Sequence, residues 1–135
     1  MSRSNKTIWL AGAFAICLFA GGSILWRGSY REYMEGSGSY YWAILPLFTG
    51  AALALSWIVG VGIVPSALVV GSAFPAIVVV RVVIDGAQDP TAHNLWPFEV
   101  VLAMVTGMVM TFPAAAIGGL LRRLTHRGQP PGGKT

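Results

Sequence analysis

Three stretches of this chain, residues 7–26, 36–80 and 100–121, contain no Asp, Glu, Lys, Arg or His. A bilayer core takes about 20 apolar residues per helix. The first and third stretches therefore suit one span each, and the middle one, about twice as long, suits two. Only 10% of the 135 residues are charged and 55% are hydrophobic. A soluble domain carries about 25% charged residues, so this chain has too few to cover a surface in water. The expected fold class is all-α: an integral membrane four-helix bundle made of two helical hairpins. The helices are expected at about 7–26, 40–61, 66–84 and 97–121. Residues 1–126 would form one four-span domain. The tail 127–135, rich in Gly and Pro and without apolar content, should be disordered.

A secretory signal peptide is the competing reading of the first span, since Arg3 and Lys6 make a basic start. The apolar stretch from Ile8 to Trp26 is longer than the 7–15 residues of a signal core. Ile16 also precedes Cys17 where a lipoprotein site needs a small residue, so a retained span is the better reading. Cys17 is the only cysteine, which excludes an intramolecular disulfide and suits a small apolar packing role.

Charge placement gives the expected orientation. Arg3 and Lys6 precede the first span, and Arg122, Arg123, Arg127 and Lys134 follow the last. All five carboxylates, Glu32, Glu35, Asp85, Asp89 and Glu99, lie in or beside the segments joining helices 1 to 2 and 3 to 4. The positive-inside rule then puts both termini in the cytoplasm of a bacterial-type inner membrane. The net charge of +4 reflects topology and contact with anionic lipid, with no nucleic-acid partner implied. Trp26, Tyr30, Tyr33, Tyr40, Tyr41, Trp42 and Trp96 should gather at the outer interface, and Trp9 at the inner one.

Membrane helices associate through close packing and polar contacts, because lipid tails are as apolar as leucine. Small residues recur at four-residue spacing: Gly107, Thr111, Ala115 and Gly119 in helix 4, Ala52, Ser56 and Gly60 in helix 2, and Ala13, Cys17 and Gly21 in helix 1. Each series makes a groove. It serves either packing inside one bundle or, most plausibly for helix 4, self-association or docking to a larger membrane complex. Pro46, Pro75 and Pro113 fall within spans, where they should kink or loosen the helix. A tight cytoplasmic turn is expected at residues 62–66, with Pro65 in the turn or at the first helical position.

Mid-span polarity is limited to Thr49, Ser56, Ser72, Thr106 and Thr111. Proton-coupled carriers bury ionisable groups at that depth, so this pattern argues against one. The polar segment 81–99 is the candidate site. Arg81 should clamp Asp85 one turn later, Asp89 and Asn94 are candidate helix caps, and Glu99 suits the first turn of helix 4. Asp85, Asp89 and His93 also have i, i+4, i+8 spacing; with Glu99, and with Glu32 or Glu35 from the first loop, they could ligate a divalent metal. Caps, clamp and anchors account for most of these residues, so no cofactor is expected and a metal at the outer face is the alternative. Met104 and Met108, one turn apart, read as packing residues.

No nucleophile–base set, phosphate loop or paired zinc motif is present. The leading expectation is a small non-enzymatic accessory or assembly subunit, acting as a homo-oligomer or within a larger complex. The alternatives are a small oligomeric channel or transporter, and a membrane-surface metal-binding protein or enzyme built on residues 85–99.

Overall fold

The computed structural model describes residues 3–27, 39–88 and 95–126. They form four helices, each long and apolar enough to cross a membrane, with no strand among the described residues. α1 is Arg3–Leu25 and α2 is Ser39–Ala54, continued by a π-helical turn, Leu55–Val59. α3 is Ile63–Gln88 and α4 is Trp96–His126. The chain is thus an all-α four-helix bundle of membrane-spanning type. Its up-down course gives it two ends: a terminal end, where α1 begins and α4 finishes, and a distal end, where α1 finishes and α4 begins.

The helices run past the hydrophobic boundaries. α1 begins at Arg3, not near residue 7, and α4 continues to His126, not to about 121. Backbone hydrogen bonding does not stop where side chains become charged, so the helices project beyond the apolar zone. α3 begins at Ile63 and takes Pro65 into its first turn, where a missing N–H leaves no bond unmade. The turn expected at 62–66 is accordingly shorter and earlier, at residues 60–62.

That turn is set by two glycines. The π turn ends at Gly60, which is left-handed at φ 69° and ψ 38°. The Leu55 carbonyl accepts hydrogen bonds from the Gly60 N–H and, at 3.1 Å, from the Val61 N–H. Gly62 follows at φ 111°. Gly60 is therefore the cap that ends the second helix, not the last member of an Ala52, Ser56, Gly60 packing stripe.

The core is unequal in its sources. α2 and α3 supply most of its large side chains: Ile44, Phe48, Val70, Phe74 and Ile77 are all buried, joined by Leu25 of α1 and Leu55 of the π turn. Phe48 and Phe74 meet edge to face with ring centroids 5.8 Å apart, a favoured aromatic geometry. α4 gives the interior only small residues, namely Ala103, Gly107, Thr111, Ala114, Ala115 and Gly118. Its large residues, such as Val105, Val109 and Ile117, point outward.

Small residues let α4 lie close against α3, its most extensive contact. A Cβ on Gly107 would overlap the Gly71 carbonyl oxygen, and one on Gly71 would stand 2.9 Å from Thr111 Oγ1 and 3.1 Å from Met108 Sδ. Pro75 lies four residues after Gly71, so it removes the amide that would bond that carbonyl within α3. The carbonyl faces the Gly107 Cα instead, the arrangement of a Cα–H···O contact. The helix runs through Pro46, Pro75 and Pro113 without a break.

Thr111 adds the polar part of the seam. Its Oγ1 lies 3.0 Å from the Ala67 carbonyl of α3 and 2.9 Å from the Gly107 carbonyl of its own helix. Thr111→Val keeps the shape and removes the donor. It is expected to lower stability by about 0.6–1.7 kcal/mol, the range for interhelical hydrogen bonds in membranes. Thermal melts in a mild detergent read this directly; a variant as stable as the parent would show that the bond contributes nothing.

Candidate functional site

The polar segment at the distal end is built on the last turns of α3 and the first turn of α4. Helical spacing puts Arg81 and Asp85 on one face, and Arg81 Nε donates to Asp85 Oδ2 at 3.1 Å. The side chains are 11% and 26% exposed, so this pair is more sheltered than a surface ion pair. Arg81 also reaches across the bundle, where Nη1 donates to the Leu25 carbonyl at the end of α1. Trp26 Nε1 makes the return contact, donating to the Ile77 carbonyl of α3 at 3.2 Å.

These two donors, one on α3 and one just after the end of α1, fasten the distal end of α1 to α3. They answer a general need, because the last carbonyls of a helix have no partner within it. Arg81 serves the orphan carbonyl of α1 with one arm and Asp85 with another. Gly22 makes room for the arrangement: a Cβ there would stand 2.6 Å from the Trp26 ring.

Glu99 occupies the first turn of α4, where a negative side chain favours the helix dipole. The turn is opened by Leu95, whose carbonyl accepts from the N–H groups of Phe98 at 2.9 Å and Glu99 at 3.1 Å. Of the metal set expected from the sequence, Asp85 and Glu99 lie on these two helices, and Asp89 and His93 lie outside the described residues. Among the described residues, no three His, Cys, Asp or Glu side chains come together as a metal site. One oxygen of Asp85 faces the guanidinium of Arg81, so a metal there would have to compete with the chain's own cation. Glu32, Glu35 and the Asn94 cap also fall outside the described residues.

The α4 series is occupied within the bundle. Gly107 and Thr111 meet α3, Ala115 is fully buried, and a Cβ on Gly119 would stand 2.8 Å from Ile63 Cγ1. Gly118, outside the expected series, approaches α2 more closely still; its Cβ would stand 2.6 Å from the Leu53 carbonyl oxygen. In α1, Cys17 is fully buried and Gly21 packs under Ile77 and Phe48. These grooves are filled by the chain's own helices. Met108 packs at the α3 seam, whereas Met104 is 48% exposed, so the two methionines do not act as a pair.

Three of the mid-span hydroxyls bond only within their own helix. Thr49 donates to Leu45 O at 2.7 Å, Ser72 to Val69 O at 2.9 Å and Thr106 to Leu102 O at 2.9 Å. Ser56 and Ser66 are buried, and neither hydroxyl has a hydrogen-bond partner among the described residues.

Sequence reasoning missed one interaction at the terminal end. Arg122, counted only as a topology charge, donates from Nη1 to the Trp57 carbonyl of the π turn at 3.2 Å. Its guanidinium lies over Gly60, where a Cβ would overlap it. The signal was Gly60 itself, a residue without a side chain at the end of a span, opposite a basic residue at the end of another. Comparison with protein-family models, curated proteins and solved structures finds no match to this chain.

Proposed function

We propose that this small integral membrane protein is a non-enzymatic accessory or assembly subunit of a larger inner-membrane complex, with both termini in the cytoplasm. The observation that carries the reading is the make-up of the described interior: side chains around Phe48 and Phe74, a seam of small residues, and hydroxyls of which four bond to carbonyls. A conduction or relay path is lined by charged or carbonyl groups facing a channel. A closed seam of this kind holds helices together. With its small-residue faces filled from within, the bundle meets its surroundings through large apolar side chains, among them Phe19, Val109 and Ile117. A partner subunit would be met on that surface.

One labelling experiment tests partner and orientation together. Lys6 and Lys134 are the only lysines, one near each terminus. A membrane-impermeant amine crosslinker is expected to spare the chain in intact cells and react with it from the cytoplasmic side of inverted vesicles. Native mass spectrometry from mild detergent is then expected to show a second protein at fixed stoichiometry. Reaction in intact cells overturns the orientation. A monomer carrying only lipid, with no crosslinked product from a lipid-soluble reagent, overturns the subunit reading.

A further inference from the structure

The terminal end of the bundle concentrates positive charge, with no counter-charge among the described residues. Arg3 and Lys6 open α1, Arg122 and Arg123 lie in the last turns of α4, and the described carboxylates, Asp85 and Glu99, are both at the distal end. Arg3 and Arg123 are exposed, but Arg122 is seated. Gly60 lacks a Cβ at the point where the guanidinium lies, and the Trp57 carbonyl holds Nη1 at 3.2 Å. A guanidinium has five N–H donors in a rigid fork, and this contact uses one. The fixed group therefore presents further donors at the membrane edge, at low cost in side-chain freedom.

The surroundings suit one ligand chemistry. Arg123 adds a second, exposed charge on the same turn. Trp57 is 38% exposed and Ile58 is 72% exposed on the adjoining π turn, so apolar surface begins directly beside the charge. A phosphodiester with attached acyl chains matches both halves, since planar forks recognise phosphate oxygens and the chains lie on the apolar surface. We propose that Arg122, with Arg123, forms a binding site for the phosphate of an anionic phospholipid at the terminal end, seated on the π turn of the second helix. The site stands or falls apart from the accessory-subunit reading, since it needs no protein partner.

The test is lipid retention by native mass spectrometry from mixed micelles of phosphatidylglycerol and phosphatidylethanolamine. The parent protein should retain phosphatidylglycerol in preference. Arg122→Gln should lower that preference about fivefold, the worth of one basic residue near an anionic surface. Arg3→Gln removes a charge from the same end and should leave the preference within about twofold, because screening confines each charge to its neighbourhood. Inorganic phosphate in excess should displace nothing. Equal losses in the two variants would mean diffuse attraction and overturn the site. So would a parent without preference, or displacement by free phosphate. Where Arg122→Gln does not fold, Arg122→Lys is read instead: it keeps the charge and loses the fork, and an unchanged preference there overturns the proposal.

Discussion

Gly107→Leu is expected to separate α3 from α4 and to cost about 3 kcal/mol or more, at the upper end of overpacking penalties. The size of the effect comes from what the new side chain would strike. A Cβ at this position already overlaps a backbone oxygen, that of Gly71, with Phe74 Cβ at 3.3 Å behind it. A side chain can turn aside, but a helix backbone moves only as a whole. The two helices would have to part along their most extensive contact, and Thr111 would lose its reach to the Ala67 carbonyl. Gly12→Leu and Gly50→Leu are the controls, because nothing stands within 4 Å of a Cβ at either position. Melting in one detergent should show a large loss for Gly107→Leu and little change for the controls. Three similar curves would mean that the glycine seam does not hold α3 and α4 together.

Arg81→Ala should be the most damaging change at the distal end, costing about 2 kcal/mol or more, because hydrogen bonds to charged groups are stronger than neutral ones and their loss strands polar groups. The guanidinium serves two elements: it pairs with Asp85 and donates to the Leu25 carbonyl. Asp85→Ala removes the i, i+4 partner and leaves the bond from Arg81 to the Leu25 carbonyl in place, so it should cost less than Arg81→Ala. The double variant should cost about as much as Arg81→Ala alone, since both changes delete the same pair. The asymmetry is the informative result. Equal costs for the two single changes would mean that the tie to α1 contributes nothing.

The number of spans and their order were legible because absence of charge over about 20 residues is a strong signal. Helix ends were less legible. Hydropathy marks the lipid boundary, whereas the helix at α1 continues to Arg3 and at α4 to His126 under backbone control. The π turn at Leu55–Val59 left no trace in the apolar pattern, because one extra residue per turn changes the backbone register without changing composition. Gly60 falls on a packing stripe by its spacing, because four-residue spacing cannot tell a helix face from a helix cap. The Arg81–Asp85 spacing could be read from the sequence, but the reach of Arg81 to Leu25 could not, since that contact joins residues of different helices. The close approach of Gly118 to α2 is hidden in the sequence for a similar reason: the sequence shows that a residue is small, and only the fold shows what it approaches.

The unequal core inverts the usual rule for which substitutions are dangerous. In a water-soluble protein the interior is exposed by trimming it, since deleting buried methylenes leaves cavities. Alanine scanning here would trim the half of the interior around Phe48 and Phe74, whereas at Gly71 and Gly107 of the α3–α4 seam the same substitution adds a Cβ where the facing helix leaves no room. At its glycines that seam is sensitive to enlargement. Variation along it is limited by volume more than by polarity, while the outward positions of α4 can exchange one large apolar residue for another with little consequence for the fold.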